Sequence, residues 1–154
     1  MDTTAEVGYS LDKKEMVVLI SPEECKNIWH QLLPLFIKGE VSWVPFMDLS
    51  DIKKAIIKEQ FQLWVLIIKE EYKAVLLTEI AEYPRAKILR FIHVSGEGIF
   101  QGLSEKIQVC IDWGRRQGAT AYQIYGSRAW LKLLSTNNEP DYKVVFYKEI
   151  GEAL

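Results

Sequence analysis

Apolar and polar residues along this chain change their repeat several times, and each change marks an element. Met16-Val17-Val18-Leu19-Ile20 is an unbroken apolar run of strand length, and it stops at Ser21-Pro22-Glu23-Glu24. Serine there caps a helix, proline suits the first helical position, and Glu24 completes a reciprocal capping pair. Ile28, Trp29, Leu32, Leu33 and Phe36 then recur at helical spacing. This predicts an amphipathic helix that Pro34 bends or restarts and Gly39 ends. Ser50-Asp51 opens a second, shorter helix carrying Ile52, Ala55 and Ile56.

From Gln60 the period shifts to that of strands. Residues 61–68 are strand-like, Lys69-Glu70-Glu71 is a charged turn, and 72–80 is a second run rich in Val, Leu and Thr, which together predict an antiparallel hairpin. Tyr83-Pro84-Arg85 interrupts the sheet before the next strand, 87–94. Ser95-Gly96-Glu97-Gly98 then leads into a helix with Ile99, Leu103, Ile107, Cys110 and Ile111 on one stripe. Gln101, Glu105, Lys106 and Gln108 fall off that stripe. The helix ends at Gln117-Gly118, with Arg115 and Arg116 complementing its dipole. A strand over 121–125, a short helix over 127–134 with Trp130, Leu133 and Leu134 inward, and a strand over 142–150 complete the pattern. Hairpins imply antiparallel pairing, whereas the long helix between 94 and 121 implies a parallel neighbour pair, so the sheet is expected to be mixed.

Composition narrows the setting. At 154 residues, 49% hydrophobic and 26% charged, the chain fits one domain over 16–154, preceded by a loose arm over 1–15. A net charge of −2 gives no general electrostatic hold on nucleic acid or an anionic membrane. Cys25 and Cys110 lie far apart within helical patterns, so neither a disulfide framework nor a metal site is expected. His30 has no metal-binding companion at a useful spacing. With no long apolar stretch and no signal-like start, the expected location is a reducing cytoplasm, not the cell exterior.

The element order resembles the acetyl-CoA-dependent N-acetyltransferase (GNAT) superfamily from Met16 onward. Local resemblance lies in Thr78-Glu79, Tyr83-Pro84-Arg85, Lys87, Leu89, Ser95-Gly96-Glu97, Gly126-Ser127-Arg128-Ala129-Trp130, Leu131-Lys132-Leu133-Leu134 and Tyr142-Lys143. These look like the small GNAT-like proteins of tailed bacteriophages. The resemblance implies an α/β fold with a mixed central sheet flanked by helices on both faces. It also implies a wedge between strands 87–94 and 121–125 for the pantetheine arm of acetyl-CoA. The pyrophosphate would rest on loop amides before the long helix.

Under that resemblance, cofactor binding falls to Val94, Ser95, Gly96, Gly98 and Arg128. Glu79 or His93 is the candidate base, and Tyr125 the candidate acid. Each has a plainer reading. The Gly96/Gly98 pair also serves as a tight strand-to-helix connection, His93 as a hydrogen-bonded structural histidine, and Glu79 as a paired strand residue. Tyr122 and Tyr125 point to opposite faces, so one belongs to the core. Arg128 either binds an acidic group or pins the loop through Glu97 or Asp141.

The loop also departs from the family pattern Gln/Arg-x-x-Gly-x-Gly/Ala. It lacks the basic or amide residue, and Glu97 brings negative charge to the phosphate site. Leu133 falls where the family's helix tyrosine often stands. Two functions therefore remain. One is a phage GNAT-like protein with a vestigial wedge, acting in the virion or host cytoplasm by binding a virion component or host protein. The other is an active N-acetyltransferase acting on a primary amine. Trp43 and Phe46, in an apolar loop, suit either a substrate lid or a protein-docking surface.

Overall fold

The computed structural model describes residues 9–10, 15–38, 47–99 and 101–124. The apolar runs become strands β1 (Tyr9–Ser10), β2 (Glu15–Ile20), β3 (Gln62–Ile68), β4 (Glu71–Tyr83), β5 (Ala86–Gly96) and β6 (Ala121–Ile124). Helices α1 (Pro22–Ile37) and α2 (Leu49–Ile57) lie between β2 and β3, and α3 (Leu103–Arg116) lies between β5 and β6. The six strands stand in sequence order in one sheet. Pairing is antiparallel from β1 to β5 and parallel between β5 and β6, where Ile88 to Phe91 register with Ala121 to Ile124. The expected mixed sheet with helices on both faces is the fold observed.

Alternate strand residues feed two cores. Val17, Trp64, Leu66, Leu76, Leu89, Phe91 and Val94 pack under α3 with Leu103, Ile107 and Cys110. Val18, Leu63, Val65, Val75, Leu77 and Ile92 pack under α1 and α2 with Leu32, Phe36, Ile52 and Ile56. Burial on both faces explains why β2 and β3 show unbroken apolar runs instead of alternation. Cys25 and Cys110 are both buried and unpaired. Among the described residues, no helix is long and apolar enough to cross a membrane.

Several boundaries differ from the pattern-based reading, each for a physical reason. Within the arm expected over 1–15, Tyr9–Ser10 pairs with Met16 and Val17 and gives β2 a neighbour on its outer edge. Ser21 caps α1 as expected, its Oγ accepting from the Glu24 amide at 3.1 Å, and α1 runs on through Pro34. The cap of α2 is Asp48, not Ser50. Asp48 and Asp51 each accept from the other's backbone amide, a reciprocal pair that fixes the helix start two residues earlier.

The glycine loop extends to Gly102, so Ile99 precedes α3 yet is still buried. Lys106, placed off the apolar stripe by spacing, is instead 1% exposed. Its Nζ donates to the carbonyls of Gly98, at 2.7 Å, and Gln101. Hydrophobic periodicity cannot register a lysine that is buried because a loop wraps its ammonium in carbonyls.

Candidate active site

The midpoint of β5 carries the irregularity that builds the site. Thr78 of β4 registers with Phe91 and Leu77 with His93, so Ile92 is an extra residue, a β-bulge. Phe91 turns toward α3, where its ring meets Tyr122 edge-on at 6.1 Å. Both Ile92 and His93 then face α1 and α2: Ile92 joins that core, and the His93 ring stacks on Phe36 at 5.3 Å. The described parallel ladder ends at Phe91, and Ile92 to Gly96 continue along β4. Tyr122 is thus the core tyrosine of the pair considered above, and Tyr125 lies outside the described residues.

His93 is 6% exposed. Its Nε2 shares a 2.7 Å hydrogen bond with Ser95 Oγ, and Nδ1 is buried with no hydrogen-bond partner among the described residues. Burial pushes its pKa down from 6.5 to about 4, so the imidazole is neutral at neutral pH. It lines a cavity of about 600 Å³ with Phe36, Met47, Asp48, Leu49, Ser50 and Ile52. The spacing of sequence patterns gave no hint of this cavity, because α1, the start of α2 and β5 meet there only in the folded chain.

Glu79 shares the α1/α2 side of the sheet, two residues along β4 from Leu77, the partner of His93. Two strand residues span roughly 7 Å, which puts the two candidate bases on neighbouring positions of one face. Glu79 is committed elsewhere: its Oε1 is 3.5 Å from Arg90 Nη1. Arg90 Nε donates to Gln123 Oε1 at 3.0 Å, and Nη2 donates to the Tyr83 hydroxyl. Arg90 thereby ties β4, β5 and β6 together, a role its lone position in an apolar strand did not announce.

Val94 contributes its side chain to the α3 core, leaving its backbone as the part available to a ligand. Gly96, at φ +114°, lies against β4: an added Cβ would be 2.5 Å from both the Ala74 Cα and the Lys73 carbonyl. Its amide donates to the Lys38 carbonyl at 3.2 Å, and the Glu97 amide donates to the Lys73 carbonyl at 2.8 Å. The Glu97 carboxylate is turned to Lys38, Oε1 to Nζ 2.6 Å, and Lys38 with Lys73 beyond it holds that carboxyl below its usual range. Its charge is therefore matched at the end of α1. Arg128, Trp43 and Phe46 lie outside the described residues.

The remaining loop is shaped by Lys106. A trans peptide sets each N–H opposite the preceding C=O. By drawing the Gly98 and Gln101 carbonyls inward, the ammonium turns the Ile99 and Gly102 amides away from itself. Gly98 and Gly102 both have positive φ, which permits that path, and no side chain caps the start of α3.

No protein-family model and no curated protein matches this sequence. Solved structures match it in shape. An aminoglycoside acetyltransferase from an uncultured soil metagenomic sample superposes with a TM-score of 0.65 at 11% identity, covering 92% of this chain and 100% of its own. The ribosomal-protein-alanine N-acetyltransferase of Brucella melitensis biovar Abortus 2308 gives 0.59 at 7% identity, covering 89% and 99%. A GNAT family acetyltransferase from Staphylococcus aureus gives 0.54 at 15% identity, covering 89% and 99%. At these identities the likeness is one of fold, and the chain has the GNAT fold.

Proposed function

We propose that this chain is an acetyl-CoA-dependent N-acetyltransferase acting on a primary amine. The observation that carries the reading is the bulged β5 feeding α3 and a parallel β6, within a fold shared along nine-tenths of the chain with acetyltransferases. Fold alone assigns no activity, so the residues must also suit the cofactor. They do. The Ile99 and Gly102 amides face away from Lys106, the start of α3 has no side-chain cap, and the Glu97 charge is matched by Lys38. Backbone amides at a helix start suit a diphosphate. The backbone of Gly98, Ile99 and Gly102 would hold that group, and the β5 backbone from Val94 would line the pantetheine arm.

When bound, acetyl-CoA supplies a thioester whose acyl carbon is open to attack by an amine. The chain's own part is to hold that amine. Neutral His93 accepts a hydrogen bond from an ammonium or amine at Nδ1, with Nε2–H donating to Ser95 Oγ and fixing the ring. With a pKa near 4, His93 is a weak proton acceptor and acts as an orienting group. Glu79, ion-paired with Arg90 on the same face of the sheet, is the candidate base. Arg128 and Tyr125 keep the roles the family resemblance implies for them, acid-group binding and thiolate protonation.

Calorimetry tests the reading directly. The folded chain is expected to bind acetyl-CoA with micromolar affinity and to release free thiol when an accepting amine is added. Absence of heat at millimolar acetyl-CoA, with circular dichroism showing a folded chain, would remove the enzyme reading. A second reading has one observation in its favour: the Gly96 and Glu97 amides are already taken by the Lys38 and Lys73 carbonyls. On that reading the chain is a binding protein with a vestigial wedge that engages a virion component or host protein. Its link to tailed bacteriophages rests on the local sequence resemblance.

A further inference from the structure

The cavity beside β5 has a composition that selects among amines. Its floor is apolar: Phe36 is 7% exposed and Ile52 4%, and Met47 and Leu49 flank them. Two polar features stand out. His93, 94% buried, offers an Nδ1 with no partner among the described residues. At the mouth, Asp48 is exposed and spends only Oδ1 on the Asp51 amide, leaving Oδ2 outside the cap. A buried imidazole nitrogen with no partner costs free energy unless a ligand supplies the missing bond. The cavity is an open cleft whose volume, about 600 Å³, is in the size range of small-molecule sites.

We infer that this cavity takes a monocationic amine carried on an apolar aliphatic or aromatic body. The body covers Phe36, Met47, Leu49 and Ile52, the nitrogen is drawn by Asp48, and an N–H reaches His93 Nδ1. A polycationic amino sugar, the substrate class of the aminoglycoside acetyltransferases among this chain's structural neighbours, suits the cavity poorly. Such a ligand brings several charges and hydroxyl groups that would lose water against an apolar floor, and one exposed carboxylate matches only one of them. The inference deepens the acetyltransferase reading by naming its acceptor class.

Binding is measured by calorimetry on the full chain without cofactor, so that it is read apart from catalysis. Phenethylamine is expected to bind with sub-millimolar affinity, more tightly than its neutral isostere phenethyl alcohol and more tightly than kanamycin. Asp48→Asn retains the cap, since Asn and Asp are comparable there. It should weaken phenethylamine about fivefold and leave phenethyl alcohol unchanged. His93→Leu should weaken both probes. Preference for kanamycin, no phenethylamine binding, or equal amine affinity in wild type and Asp48→Asn would each overturn the inference. Acetyl-CoA binding is titrated separately on the same samples. Its absence alongside amine binding would remove the enzyme reading and leave the amine site standing.

Discussion

The two faces of the sheet are built to different standards. Under α3 every buried polar group among the described residues has a partner. Trp64 Nε1 donates to Thr78 Oγ1 at 3.0 Å, Thr78 donates to Gln62 Oε1 at 2.9 Å, and Lys106 is wrapped by loop carbonyls. Under α1 and α2 the apolar core stops at His93, whose Nδ1 has none, and a cavity opens beside it. Folding alone favours the first arrangement. A face on which a buried imidazole nitrogen has no partner among the described residues, beside a cleft, is one where a ligand would add stability. On the proposed reading the α1/α2 face holds the amine, and the α3 face beneath the diphosphate loop is the scaffold.

The largest expected effect lies on the scaffold. Phe91 is 1% exposed, packs edge-on against Tyr122, and sits at the last described rung of the β5–β6 ladder. Phe91→Ala removes a large side chain from a site that cannot collapse around it and should cost about 4 kcal/mol. Chemical denaturation measures this directly. A cost below about 1 kcal/mol would mean the α3 face is loosely packed, and the contrast between faces would lose its basis.

The working face should reveal itself through pH. His93 has a folded pKa of about 4 against 6.5 for the unfolded chain, so between those values the unfolded chain binds more protons. Stability from this group is whole above pH 6.5 and falls as pH drops toward 4, by roughly 3 kcal/mol in total. Replacing both members of the pair, His93→Leu with Ser95→Ala, removes the titration without leaving Ser95 Oγ unpaired. Denaturation midpoints at pH 7 and pH 4.5 should then converge for the double variant while separating for the wild type. Equal pH dependence in the two proteins would show that His93 is not the group being protonated.

Much of the scaffold was legible in the sequence, because each face of each strand and each helix stripe is a repeat of hydrophobic positions. The strand–helix–strand unit from Lys87 to Ile124 followed from periodicity alone. The site was less legible, since its parts are not periodic. Lys106 looked like a surface residue because its burial depends on carbonyls of a loop five to eight residues earlier. Asp48 and Phe36 approach His93 through tertiary packing between helices and sheet. Glu79 and His93 were found by residue type, but that His93 faces the site depends on the Ile92 bulge, a one-residue shift that no alternation pattern records. A signal for Asp48 existed in Asp48-Leu49-Ser50-Asp51, whose acidic ends are spaced as a capping pair.

The smallest effect tests the scaffold by imitating the other face. Thr78→Val keeps the side-chain shape and removes one hydroxyl, leaving Trp64 Nε1 buried without an acceptor. An unsatisfied buried donor costs about 2 kcal/mol. The variant thus manufactures under α3 the kind of defect that His93 carries under α1 and α2, away from the cleft that His93 lines. Its melting temperature should fall, and addition of phenethylamine should not restore it, whereas the same amine should raise the wild-type melting temperature through the His93 site. If Thr78→Val melts with the wild type, an unpaired buried nitrogen carries little cost in this sheet. The orphaned Nδ1 of His93 would then cease to mark the α1/α2 face as the one that awaits a partner.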